Sequence, residues 1–112
     1  MQREVLKYLF DMKEAIDSIY EYIGETKDFK SYVSNKLVRR AVERELEIIG
    51  EATNRILRID AAIEISNSRR IVDLRNWVIH GYDKVDDTII WGILSKDIPQ
   101  LRNQVEKLIN WE

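Results

Sequence analysis

The sequence predicts an all-α fold, an antiparallel bundle of four main helices with an additional short helix, and two observations lead to it. Apolar residues recur at alternating spacings of three and four, which is the period of a helix buried on one side. No segment of the sequence alternates apolar and polar residues as a half-buried strand would. A chain of 112 residues with 45% hydrophobic residues is expected to form one small domain spanning residues 1–112.

The first predicted helix has a single apolar seam and ends at Gly24, a residue typical of helix C-termini. The following stretch, Glu25 to Asn35, mixes charged and aromatic residues and fits either a short helix or a turn. Ser34 or Asn35 is a suitable N-cap for the next helix. The seam of the first helix consists of Val5, Leu9, Met12, Ile16, Ile19 and Ile23.

The second long helix is predicted from Lys36 to about Ile59 and has two apolar rows, so that its buried face is wide and its position central. One row holds Val38, Val42, Leu46, Ile49, Thr53 and Ile56, and the other holds Leu37, Ala41, Ile48 and Ala52.

The remaining face of this helix carries a charged row at spacings of four, three and four. Two interpretations stay open for it. The row is either a solvated face with internal ion pairs, each worth about 0.2 to 0.5 kcal/mol, or a polar wall that lines a cleft. Its members are Arg40, Arg44, Glu47, Glu51 and Arg55.

The segment from Asp60 to Ser68 is predicted to be a loop, anchored by Ile63 and Ile65. Ser66 or Asn67 would cap a third helix that continues to His80. A fourth helix would begin behind Asp86 or Asp87 and contain Ile89, Ile90, Ile93 and Leu94.

The only proline, Pro99, predicts a break between the fourth helix and a fifth. Proline suits the first turn of a helix because its missing N–H would be unpaired there. Asp97 would then be the N-cap of this fifth helix. Its inner row would be Leu101, Val105 and Leu108.

Composition excludes several classes of function. The chain has no cysteine and one histidine, so disulfides and thiolate metal sites are excluded and no cofactor is expected. No apolar run approaches the roughly 20 residues of a membrane span, and the amphipathic N-terminus does not resemble a signal peptide. We therefore expect a cytoplasmic protein. A net charge of -2 argues against a general nucleic-acid coat, so any RNA must be bound locally.

The densest group of functional side chains lies in the stretch Arg75-Asn76-Trp77-Val78-Ile79-His80-Gly81-Tyr82. Asn76 and His80 stand four apart and share one helical face. Gly81 suits the left-handed cap of a helix that ends at His80, which would place Tyr82 just outside that helix. Arg75 lies about 140° around the helix from His80, although a long side chain near a frayed last turn can still converge on the same ligand.

This stretch spells R-N-x-x-x-H-x-Y, which resembles the catalytic signature of the HEPN superfamily and specifically of the HepT group of toxin ribonucleases. The flanking residues resemble that group in order and spacing as well, over about Leu37 to Leu108. One difference is that Asp60 to Ser68 lacks the Pro/Trp-containing approach to the signature helix. The matching flanks are Ala41 to Arg44, Glu47 to Ala52, Val85-Asp86, Trp91 and Asp97 to Pro99.

Arginine and histidine suit RNA cleavage without a metal, which needs an acid, a base and a cation for the phosphate. Arg75 would clamp the scissile phosphate, His80 would transfer protons, and Asn76 would orient His80 or the phosphate. Because each chain has one histidine, a homodimer that opposes two third helices would complete the cleft, which is the arrangement the resemblance implies. Further candidates are residues that would contact and orient these side chains without touching the RNA. They are Arg44, Glu47 and Glu51.

The resemblance also implies a partner, a minimal nucleotidyltransferase antitoxin that adenylylates Tyr82 and so silences the toxin. The alternative interpretation of Tyr82 is structural. Its ring would pack on the segment that connects the third and fourth helices, and its hydroxyl would hydrogen-bond to Asp83 or Asp86. Two other functions stay open for the whole chain: a noncatalytic nucleotide- or partner-binding module that complements such a transferase, and a purely structural helical dimer. The tryptophans, Trp77, Trp91 and Trp111, are interpreted as core or dimer contacts.

Overall fold

A computed structural model of the protein describes residues 2–24, 28–73 and 87–110, and these are helical apart from short connections. The all-α prediction is therefore confirmed. In chain order the elements are α1 (Arg3–Ile23), α2 (Phe29–Ser34), α3 (Lys36–Ile59), α4 (residues 68–73), α5 (Asp87–Gly92), a π-helical turn (Ile93–Asp97) and α6 (Ile98–Asn110).

Helix α1 begins and ends where its sequence predicts. Five of its seam residues, from Val5 to Ile19, are buried, and Ile23 packs against the core from its edge. Gly24 adopts a φ of 67°, a conformation that costs glycine little because it has no Cβ. Its N–H donates to the Tyr20 carbonyl at 2.9 Å, which satisfies one of the carbonyls that a helix end leaves unpaired.

The short helix α2 and the start of α3 are both fixed by side-chain caps. The carboxylate of Asp28 accepts a hydrogen bond from the Ser31 N–H at 3.3 Å. The side chain of Asn35 accepts one from the Val38 N–H at 3.1 Å. Of the two predicted N-caps for α3, Asn35 is therefore the one used, and the helix spans the predicted residues.

Helix α3 packs against both α1 and α2. Its first apolar row is buried as predicted, except that Val38 is only partly covered. The second row is wrong at its start: Leu37 is 80% exposed. Leu37 lies in the first turn of α3, where α1 does not cover it in the described structure. Glu43, by contrast, is a charged residue of the same helix that is buried.

Helices α5 and α6 are joined without a break, which corrects the prediction of a fifth helix starting at Pro99 with Asp97 as its N-cap. Ile98 has helical φ and ψ angles, and its N–H donates to the Ile93 carbonyl in the i→i+5 pattern of a π turn. Because proline has no N–H and clashes with the carbonyl four residues earlier, the widened turn accommodates Pro99 inside a continuous helix.

The buried core is shared by α1, α3 and the helix of residues 87–110. Helix α1 packs against α3 along its length and against α6 on its other side. Full burial of a single aliphatic side chain contributes about 1.5 to 3 kcal/mol, so this shared core accounts for most of the fold's stabilisation. Among the helices described, none is both long enough and apolar enough to cross a membrane.

Candidate functional site

The four side chains in which the sequence predicts the chemistry, Arg75, Asn76, His80 and Tyr82, lie in residues 74–86, outside the described residues. Their geometry stays a prediction. The structure does describe the two elements that flank this segment in the chain, which are α4 before it and α5 after it. These elements determine where the segment leaves the scaffold and where it returns.

The flank that precedes the segment is held on α6 and the π turn. Before α4, Ser66 accepts and donates hydrogen bonds with Gln104 of α6, including one from the Ser66 N–H at 2.9 Å. Within α4, Ile71 is buried, and its N–H bonds the carbonyl of Asn67 at 3.0 Å. Asn67, with a φ of 59°, therefore stands at the N-terminus of α4, while Ser66 serves as a link to α6.

Asp97 makes the most informative contact of this flank. The residue is only 4% exposed, and its Oδ2 lies 3.2 Å from Nε of Arg70. That distance is short enough for an ion pair, although Oδ2 accepts no hydrogen bond from a described residue. A carboxylate in such surroundings is retained only with a compensating charge, and Arg70 supplies it.

The flank that follows the segment is held on α2 and α3. The carboxylate of Asp87, in the first turn of α5, lies 3.7 Å from the guanidinium of Arg39 on α3. One turn further on, Trp91 packs against the ring of Tyr32, with centroids 5.4 Å apart, and against Phe29 at 6.1 Å. The charge pair therefore fixes α5 to the beginning of α3, and the aromatic contacts fix it to α2.

Tyr32 is buried in this cluster, and its environment keeps its phenol neutral. Burial is the main cause that raises the pKa of Tyr32, and the carboxylates of Glu43 and Asp87 raise it further, while Arg39 lowers it. Glu43 is itself buried and pairs with Arg40 at 3.1 Å. The cluster is thus a partly buried arrangement of acidic, basic and phenolic groups beside the start of α5.

The charged row on α3 combines features of its two predicted interpretations. Arg44 pairs with Glu47 at 3.4 Å and Arg55 with Glu51 at 2.9 Å, as expected of internal ion pairs on a solvated face. The hydrogen bond that Arg55 donates to Glu51 is the main cause that raises the pKa of Arg55. Yet three of these residues also line an open cavity of about 380 Å³ between α1 and α3, whose lining consists of Tyr8, Asp11, Arg44, Glu47, Ile48, Glu51 and Ala52.

The sequence did not single out Arg70, Arg39 or Glu43 for any role, and it gave Asp97 a different one. A signal for Asp97 existed, since it lies four residues after Ile93 and four before Leu101 on the apolar row. The order Asp-Ile-Pro is also typical of the start of a helix, and it therefore favoured an N-cap over a buried position for Asp97. For Arg70 the sequence offers no comparable signal, since its partner is set by tertiary contact.

The described residues contain no cluster of three or more histidine, cysteine or acidic side chains close enough together to hold a metal ion. Asp11, Glu47 and Glu51 border the same cavity, but they share it with Arg44, whose charge would oppose a bound cation. The described part of the site therefore offers charge pairs and a polar cavity.

Comparison with known proteins gives consistent matches along the chain. The model of a family described as "Ribonuclease HepT-like" matches residues 12–108. A "Probable ribonuclease HepT" of Thermococcus cleftensis is 37% identical over 112 residues, which cover 96% of this chain and 98% of the relative. A "Putative RNase" of Methanocaldococcus jannaschii is 35% identical over 107 residues, with 94% and 96% covered. No solved structure matches the chain.

Proposed function

Because the chain belongs to the Ribonuclease HepT-like family, we propose that it is a metal-independent endoribonuclease that acts through Arg75 and His80. The observation that carries the proposal is that the matched range, residues 12–108, encloses the whole R-N-x-x-x-H-x-Y stretch. The two relatives named above carry ribonuclease names of their own, and the similarity covers almost the whole length of each.

The proposed chemistry follows from the properties of the two side chains. The 2'-hydroxyl of the RNA attacks the adjacent phosphate and loses its proton to a base, while the departing 5'-oxygen gains a proton from an acid. Imidazole titrates near pH 6.5 and can do either task at neutral pH. The guanidinium of Arg75 forms a planar, permanently charged fork that stabilises the crowded phosphate. Asn76 orients His80 or the phosphate.

The proposed active unit is a homodimer. One chain has a single histidine, whereas the reaction needs both an acid and a base, so two copies of His80 facing each other supply the pair. A small chain also gains from association, because a domain of this size buries only about two-thirds of its unfolded surface. Two-fold symmetry would bring two Arg75 and two His80 into one cleft.

In the cell the proposed role is that of a toxin in a toxin-antitoxin pair, with a minimal nucleotidyltransferase as the antitoxin. The phenol oxygen of Tyr82 would take an adenylyl group from ATP, with release of pyrophosphate. The nucleotide added to Tyr82, a residue close to Arg75 in the sequence, would carry a phosphate charge and a base. It would compete for the cation that binds RNA and fill the cleft.

The central experiment is RNA cleavage by purified protein in the presence of a chelator. His80→Ala and Arg75→Ala should each reduce cleavage by at least about a thousandfold, with little change in helicity or thermal midpoint. Arg58→Ala is the matched control, because this arginine is exposed in the last turn of α3 and should leave cleavage intact. Cleavage that persists in His80→Ala and is lost with chelator would contradict the mechanism.

The composite site has its own test. Light scattering at micromolar concentration should give twice the chain mass, and a persistent monomer would rule out the shared cleft. Co-expression of Arg75→Ala chains with His80→Ala chains gives mixed dimers, each with one intact copy of both residues in the cleft. Their activity shows whether one copy of each is sufficient.

Silencing is tested by co-expression with a minimal nucleotidyltransferase, followed by mass spectrometry. The peptide that contains Tyr82 should gain adenylyl groups, and Tyr82→Phe should cleave RNA normally but escape inhibition. Tyr22→Phe is the control, because Tyr22 is an exposed phenol on α1, hydrogen-bonded to Glu45. Inhibition without any adenylyl transfer would favour the alternative of a noncatalytic module that binds the transferase.

A further inference from the structure

The segment that holds Arg75 and His80 is bracketed by two ion pairs, Arg70–Asp97 before it and Arg39–Asp87 after it. We propose that Asp97 is a positioning residue: through Arg70 it fixes the direction in which α4 leads into the catalytic segment. This inference rests on the proposed ribonuclease function for its consequence, but its structural part can be tested without any enzyme assay.

The first step is the cost of burying Asp97. The carboxylate lies on the inner face of the π turn, where its neighbours in the chain, Ile93, Leu94 and Ile98, are buried aliphatic residues. A buried charge in such surroundings is unfavourable unless it is paired. The position would be filled more stably by an apolar residue if packing were its only task. A carboxylate here therefore indicates a role in fixing a partner.

The second step is how the described part of α4, which has six residues, is attached. One of them, Ile71, is buried in the core. The described polar contacts are the hydrogen bonds between Ser66 and Gln104, just before the helix, and the ion pair between Arg70 and Asp97. Without the ion pair, the described part of α4 keeps the burial of Ile71 but has its polar contacts only at its start.

The third step concerns the direction in which α4 runs relative to α6. Residue 66 contacts residue 104, and residue 70 contacts residue 97. Because the partner's number falls as the chain advances, α4 runs in the opposite direction to α6. The two contacts together define a line, whereas either one alone would allow α4 to pivot. A pivot of α4 displaces whatever follows Asp73, and the sequence predicts that this same helix continues to His80.

The fourth step concerns which substitution breaks the contact. Oδ2 of Asp97 accepts no hydrogen bond from a described residue, so its attraction to Arg70 is between charges and does not depend on one aligned hydrogen bond. An amide of the same shape cannot replace it. Asp97→Asn therefore removes the attraction while preserving volume, and Arg70→Gln removes it from the other side.

The non-enzymatic test uses the fact that the chain has one histidine. In a proton NMR spectrum the C2 proton of His80 is then a single resonance with no ambiguity of assignment. We expect this resonance to shift in both Asp97→Asn and Arg70→Gln. Asp17→Asn is the matched control, since Asp17 forms an ion pair between α1 and α6 with Arg102 at 3.4 Å and should leave the resonance in place.

The enzymatic test is steady-state RNA cleavage at a temperature where every variant is folded. Each substitution at the Arg70–Asp97 pair should lower kcat by about ten- to a hundredfold, because small misplacements of catalytic groups carry such losses, with KM nearly unchanged. The double variant should lose no more than the worse single variant. Asp97→Glu, which retains the charge, should recover part of kcat, and Asp17→Asn should match wild type.

The outcomes separate the two proposals. If the wild type does not cleave RNA, the ribonuclease proposal fails, and the NMR comparison alone decides whether Asp97 positions the segment. If the wild type cleaves RNA and Asp97→Asn retains both kcat and the His80 resonance, the positioning role is wrong. Should Asp97→Asn fail to fold, Arg70→Gln decides the same question, because the Arg70 side chain is 56% exposed.

Discussion

Two regions of the molecule are held together by different kinds of contact. In the apolar interface, where α1 packs on α3, the buried residues are mostly aliphatic, such as Leu9 and Leu46, with a hydroxyl of Thr53 against the sulfur of Met12 at 3.8 Å. In the polar flanks, formed by α4, α5 and the π turn, charge pairs such as Arg70–Asp97 are present in addition to buried aliphatic and aromatic contacts.

Apolar burial and buried charge pairs contribute differently to the fold. Burial of aliphatic surface is non-directional and roughly proportional to area, so it supplies stability without selecting one partner for each side chain. A buried charge contributes little net stability but is costly when its partner is absent, so it selects one arrangement. The polar flanks adjoin residues 74–86, where the chemistry is proposed and where a small displacement would reduce activity.

The largest expected effect is in the apolar interface. Leu9→Ala should lower the free energy of unfolding by about 2 to 5 kcal/mol, because Leu9 is fully buried and its removal leaves a cavity. Urea denaturation measures this loss. The exposed Glu14, on the same helix, is the control, and Glu14→Ala should change stability by no more than about 0.5 kcal/mol. The ribonuclease activity per folded molecule should be unaffected in both.

An intermediate effect is expected in the polar flanks, where stability and activity should separate. Arg70→Met leaves the Asp97 carboxylate buried without its cation and should cost about 1 to 3 kcal/mol. The double variant Arg70→Met/Asp97→Leu removes both charges and should regain most of that stability. Cleavage by the double variant should nevertheless stay low. Recovery of both properties together would show that the pair has no positioning role.

The smallest effect concerns Tyr32 and should appear only at alkaline pH. Its pKa is raised in the folded protein, so the unfolded chain loses the phenolic proton first. The contribution of Tyr32 to stability is therefore complete below about pH 10, the ordinary pKa of tyrosine, and is lost as pH rises from there toward the folded pKa. Thermal midpoints measured by circular dichroism should fall less steeply in this range for Tyr32→Phe than for wild type.

The matched control for that titration is Tyr22, whose pKa is also raised, mainly by its hydrogen bond to Glu45. Because Tyr22 is exposed to solvent, Tyr22→Phe should leave the alkaline slope close to that of wild type. An equal change in the two variants would show that burial of Tyr32, with Glu43 and Asp87 beside it, is not the main cause of the alkaline loss.

Much of the fold follows from the sequence alone, because the signals that start and end helices are local. Gly24 ends α1, Asn35 caps α3, and α3 spans the predicted residues Lys36 to Ile59. The signature stretch, Arg75 to Tyr82, also comes from the sequence, which identified the family. The spacing of apolar residues shows which side chains share a helical face, since that property depends on neighbours three and four positions away.

Tertiary structure decided which partner meets each face, and there the sequence was wrong in two places. Leu37 lies in an apolar row but is exposed, and Asp97, read as the cap of a new helix, is buried inside a continuous one. Both errors have one cause. Whether a side chain is buried, or which charge it pairs with, depends on residues distant in the chain, as Arg70 is from Asp97. The spacing within one helix contains no information about that partner.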